Sequence, residues 1–111
     1  MPSADDIARR AAQRLVAMHR DLPAQVEAQI RGGRPERYDP TTAIALASLV
    51  LSIAQFAWQV YQDLRKDSAS PSPEVVARKV RLQVAVPMGI NEGQRDQIVA
   101  TVVDEIAKTS S

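Results

Sequence analysis

Between Ala43 and Tyr61 the chain runs for nineteen residues, AIALASLVLSIAQFAWQVY, without a charge. Its polar members are Ser48, Ser52, Gln55 and Gln59, and the series continues to Gln62 and Lys66 in steps of 4, 3, 4, 3 and 4. At about 100° per residue, these six side chains fall within an arc of roughly 80°, so the rest of the helix surface is apolar. A helix apolar over most of its circumference has to be wrapped, either by protein or by lipid. That alternative governs what such a chain can fold into.

A chain of 111 residues makes one domain, 1–111, able to hide about two thirds of its unfolded surface. Hydrophobic residues form 45% of it, which suffices for a core and argues against disorder. Aromatics are only 4%, so that core must come from Ala, Val, Ile and Leu, which suits close helix-on-helix packing. The net charge of +1 predicts no strong pull toward nucleic acid or acidic lipid. Cysteine is absent, which removes disulfides, thiolate metal sites and cysteine nucleophiles and fits a reducing compartment. The polar start, MPSADDIARR, lacks the apolar core of a secretory signal, so only the Ala43–Tyr61 segment could direct export or insertion. The expected location is cytoplasmic, with the inner membrane as the alternative.

Ser3 followed by Asp6 resembles a capping box and predicts a helix from about Ala4. Ile7, Ala8, Ala11, Ala12, Leu15, Val16, His19 and Leu22 then recur at i, i+3/i+4 spacing as one apolar stripe. Pro23 cannot sit in a helix interior without losing a hydrogen bond, so it opens a second short helix, 23–31, which Gly32-Gly33 ends. Residues 31–38, RGGRPERY, read as a loop. Asp39-Pro40 supplies an N-cap and a first-turn proline for a long helix reaching Lys66, and the Ser/Pro-rich stretch 67–73 reads as a linker.

Residues 74–86 fit two templates. Val75, Val76, Val80 and Val84 approximate a helix face, whereas Val80, Leu82, Val84 and Val86 alternate as a strand does. A short strand at 80–86 would have no partner elsewhere in the sequence, which favours helix. Pro87-Met88-Gly89 breaks the element, and Asn91 with Gln94 opens a last helix carrying Ile98, Val99, Val102, Val103 and Ile106 inward. The fold class is therefore all-α. It is a helical bundle organised around one long apolar helix at about 40–66, with a helical hairpin in 1–38 and one or two helices in 74–111.

Chemistry-bearing motifs are sparse. His19 is the only histidine, so a histidine metal cluster is excluded and a catalytic dyad has no evident partner. No G-x-S-x-G or S-x-x-K pattern activates a serine, and Gly32-Gly33 lacks the Lys-Ser/Thr of a phosphate loop. Asp5-Asp6 suits a helix N-terminus, and Asp104-Glu105 reads as a solvated face. No enzyme activity, cofactor, metal or small-molecule substrate is inferred. Arg31, Arg34 and Arg37 with Tyr38 could contact phosphate, lipid head groups or an acidic partner, but Glu36 and Asp39 dilute the patch.

The edge formed by Ser48, Ser52, Gln55, Gln59 and Gln62 carries the functional reading. In a monomer it is the solvent-facing edge of a core helix. In an assembly its amides can fix register against a copy of itself or another protein. In a membrane it is the face by which spans associate, Ser48-x-x-x-Ser52 permitting close approach, with Tyr38, Trp58 and Tyr61 at the two interfaces. Gln55 and Gln59 within the span, and Lys/Arg on both sides of it, favour the soluble alternative.

The order DPTTAIALASLVLSIAQFAWQVYQDLRK, a Ser/Pro linker, PEVVARKVRLQV and QRDQIVATVVDEI resembles a group of small bacterial accessory proteins encoded beside NTPase or protease genes in conflict and defence loci, chiefly in high-GC bacteria. It covers Asp39 to Ile106, with a W-x-x-Y-x-D-L core at Trp58, Tyr61, Asp63 and Leu64. The resemblance implies an adaptor role and transfers no catalytic residue. The expected function is thus a non-catalytic interaction module that self-associates or docks on a larger bacterial effector. A small single-span membrane protein, with 43–61 as the span and acting as an anchor or membrane-disrupting effector, is the alternative, and nucleic-acid binding through the helix 1 arginines and the 31–37 loop comes third.

Overall fold

The computed structural model describes residues 3–32, 41–67, 71–86 and 89–110. Its first helix, α1, starts where the cap signal lies. The Ser3 hydroxyl accepts the Asp6 backbone N–H at 3.2 Å, and α1 runs Ala4–Arg14. It stops well short of the apolar stripe's end. Leu15 leaves helical geometry at φ −100°, ψ 14°, and its carbonyl accepts N–H groups from Met18 (2.9 Å) and His19 (3.3 Å). The His19 carbonyl then accepts from Leu22 at 3.1 Å. Successive turns have preserved the i+3/i+4 spacing without continuing the helix. Val16, expected inside, is therefore 47% exposed, and Leu22 enters the core as the first residue of α2, Leu22–Ile30.

Pro23 sits in the first turn of α2, where its missing N–H costs nothing, and Gly32 at φ 74° supplies the left-handed residue that ends the helix. The long helix α3 is Thr41–Arg65, about 37 Å in a molecule whose longest dimension is 46 Å. The expected Asp39-Pro40 start, the loop residues Gly33, Arg34, Arg37 and Tyr38, linker residues Ser68, Ala69 and Ser70, and Pro87-Met88 lie outside the described residues.

The ambiguous segment is helical. α4 spans Pro73–Gln83, with the Ser72 carbonyl accepting the Val75 and Val76 N–H groups, both at 3.1 Å. The linker thus ends before Pro73, which is already helical. Val84 still donates back to the Val80 carbonyl at 3.0 Å but is itself extended, at φ −96°, ψ 118°. Among the described residues there is no strand, so the 80–86 alternative is not realised: no neighbouring strand exists to pair with it. Val75 lies outside (42% exposed), and Ala77 takes the inward place beside Val76 and Val80. Finally α5, Glu92–Ser110, opens with a reciprocal capping box. The Gln94 N–H donates to Asn91 Oδ1 (2.8 Å), and the Asn91 N–H donates to Gln94 Oε1 (3.1 Å).

All four other helices pack on α3. The core they enclose is aliphatic: Ile7 and Leu15 from the first segment, Leu22 and Val26 from α2, Leu46, Val50 and Ile53 from α3, Val76 and Val80 from α4, and the whole predicted α5 stripe. The other helices thus cover the inner side of α3 and leave its outer side open to solvent.

Candidate functional site: the outer face of the central helix

α3 has two unlike arcs. Ala43, Leu46, Ala47, Val50, Ile53, Ala54 and Ala57 are wholly buried, the alanines letting neighbouring helices close in. On the opposite arc Ser48, Ser52, Gln55 and Gln59 are exposed, while Gln62 is half-buried. Half-buried apolar shoulders flank this polar row, with Ile44, Leu51 and Trp58 on one side and Ala45, Phe56 and Val60 on the other. No charge interrupts the strip from Ala43 to Gln62, about 30 Å of helix.

The row is not free along its whole length. Ser48 Oγ donates to Gln29 Oε1 at 3.1 Å, and Gln29 Nε2 donates to the Ile44 carbonyl at 3.3 Å. The Gln29 side chain of α2 therefore clips the first turn of the strip, leaving the open part from Leu51 and Ser52 onward. At the far end Trp58 and Tyr61 stack, with centroids 6.3 Å apart and ring planes at 18°. The Arg65 guanidinium lies 5.8 Å from the centre of the Tyr61 ring. Tyr61 is only 8% exposed and serves the core, so of the two aromatics Trp58 is the one left partly open to solvent.

Two groups of charged side chains lie away from this strip and bind one another. Arg9 bridges Asp6 (3.0 Å) and Glu27 (2.7 Å), and Arg31 reaches the same Glu27 at 2.9 Å. Hydrogen bonds from Arg9, then Arg31, hold the Glu27 carboxyl below its usual range. Across the α1–α5 seam Arg14 binds Asp104 (2.7 Å) and Glu105 (3.2 Å), Lys108 joins Asp104 at 3.1 Å, and Arg10 donates to Thr109. The bond from Arg14, then that from Lys108, lowers Asp104 likewise. Asp104-Glu105, read from sequence as a solvated face, is therefore a helix-to-helix clamp. The arginines Arg9, Arg10 and Arg14, which motivated a nucleic-acid reading, are all engaged inside the molecule.

The contacts Gln29–Ser48, Arg9–Glu27 and Arg14–Asp104 escaped sequence reasoning, because each joins two different helices and no local spacing signals it. His19 has a local role, since its Nδ1 accepts the Asp21 N–H at 3.2 Å and holds the turn before α2. Among the described residues no group of three His, Cys, Asp or Glu could hold a metal ion. No protein-family model matches this chain, and no curated protein and no solved structure is found to be similar to it.

Proposed function

We propose that this protein is a non-catalytic interaction module that docks through the outer strip of α3, in the first instance on a second copy of itself. The uncharged row Ser52, Gln55 and Gln59, between the shoulders Leu51, Phe56 and Trp58, carries this reading. Solvent-facing helix positions ordinarily carry Lys and Glu, and burying those requires desolvating charge; this strip has none to desolvate. Hydroxyl and amide side chains each donate and accept, so the strip is complementary to itself across a two-fold axis. Its 4, 3 spacing is also the seam period of paired helices.

The open part of the strip, Leu51 to Gln62, is about 18 Å long on a helix about 10 Å wide and falls short of the about 800 Å² per partner of a standard interface. The pairing is consequently weak and concentration-dependent. Sedimentation across micromolar concentrations tests it. Wild type should shift from monomer to dimer, and Gln59→Arg should hold it monomeric. A compact wild-type monomer at high micromolar concentration, with no partner recovered from cells, overturns the proposal. The larger bacterial effector implied by the resemblance is the hetero-partner for the same strip.

A membrane reading has one observation in its favour: Ala43–Arg65 is long enough to cross a bilayer, and an 18-residue window within it has a mean hydropathy of 1.7. Against it, 44% of that apolar window is covered by the protein's own helices, which would have to release their stripes. Recovery in the soluble fraction without detergent removes this reading.

A further inference from the structure

We infer that the groove between α4 and α5 is a second docking site, one that takes an acidic, apolar peptide segment of a partner protein. The groove is open to solvent and has a volume of about 410 Å³, within the ~300–1,000 Å³ of ligand sites. Ala77, Ala100 and Val103 give it an apolar lining, and Arg78 and Arg81 line it as well. These two arginines stand apart from most of the arginines among the described residues. Arg9, Arg14, Arg31 and Arg95 hold carboxylates, Arg10 holds Thr109, and Arg65 lies over Tyr61. Among the described residues neither Arg78 nor Arg81 has a hydrogen-bond, ion-pair or ring partner, and both open on the same groove. Arg20, in the turn before α2, shares only the first property.

Two acids also line the groove, and they decide the class of ligand. Asp104 is already neutralised by Arg14 and Lys108, and Glu74 sits in the first turn of α4, at the positive end of its dipole. A polyphosphate or nucleic-acid backbone laid along the groove would still meet the Glu74 carboxylate as like charge. A peptide placing single carboxylates on the arginine forks and an apolar side chain on Ala77, Ala100 and Val103 avoids that conflict. The outer side of α4 extends the surface for such a partner. Val75 and Leu82, at 42% and 77% exposure, are two of the three large hydrophobics left open among the described residues, and they flank Arg78 on that helix.

This inference is independent of the α3 pairing, and its test keeps the two apart. A displayed library of short random peptides is selected on the wild-type protein and counter-selected on the Arg78→Gln/Arg81→Gln variant. The recovered peptides should carry Asp or Glu beside Leu, Ile or Val and weaken as salt rises. They should bind the double variant at least about tenfold less tightly and shift the backbone amide signals of Ala77, Ala100 and Val103. Arg78→Gln alone, at an exposed position, should show part of the same loss with an unchanged thermal melt, while Gln59→Arg should keep full peptide binding. Recovered peptides without acidic enrichment, equal binding to the double variant, or tighter binding of a single-stranded oligonucleotide than of any selected peptide overturns it.

Discussion

α3 and α5 are both long helices buried along one side, yet their outer sides are built from different chemistry. Away from the core α5 carries Asp104, Glu105 and Lys108, which Arg14 and one another hold in ion pairs. α3 in the same situation shows Ser52, Gln55 and Gln59, with no charge until Asp63 in its last turn. Burial alone does not separate the two helices. What separates them is the desolvation cost of covering the outer face, high for α5 and low for α3.

The widest test of that comparison is on the inner sides, where the helices should behave alike. Ile53→Ala in α3 and Ile98→Ala in α5 remove wholly buried branched side chains, and each should cost about 2–5 kcal/mol in chemical denaturation. A cost near zero for Ile53→Ala alone would mean that α3 does not face a protein core in water, and the comparison would collapse. Removing the reciprocal cap of α5 with Asn91→Ala should cost about 0.5–2 kcal/mol by the same measurement.

Outer-face substitutions sharpen the contrast. Gln59→Arg and Gln97→Arg place the same charge on exposed positions of α3 and α5, and neither should move stability by more than about 0.5 kcal/mol. Only Gln59→Arg should abolish concentration-dependent sedimentation. Equal effects of the two would remove the distinction between the faces.

The smallest effect is that of pH. Glu27 and Asp104 are held below the usual carboxylate range by their arginine and lysine partners, so the unfolded state binds more protons at acid pH. The stability they contribute is complete above about pH 4, the ordinary carboxylate value, and disappears as pH falls through their folded values. Melting temperature should therefore hold level from neutral pH and drop on acidification. Glu27→Gln should flatten that drop, and an unaltered acid limb would break the link.

Much of the architecture was legible because its signals are local. Ser3 and Asn91 mark helix starts through hydrogen bonds that close within three residues, and the 98–106 stripe is buried as its spacing predicts. The end of α1 was illegible for an equally physical reason: the turns after Leu15 keep the i+3/i+4 rhythm, so Val16 and Leu22 looked alike although only Leu22 is buried. At the candidate site the polar row was visible in the 4, 3 spacing. That Gln29 occupies Ser48 and that Tyr61 faces inward was not, because both depend on where other helices come to rest.

The sequence by itself determined that this chain is helical, that its middle helix must be wrapped, and which residues form that helix's narrow polar row. Periodicity and capping act over one or two turns, a distance that the chain order preserves. Only the tertiary structure decided how much of the wrapping the protein supplies, which arginines are consumed by ion pairs, and that Arg78 and Arg81 are left facing a groove. Those outcomes depend on contacts between residues far apart in the chain, such as Arg14 with Asp104, whose energies exist only once the helices have met.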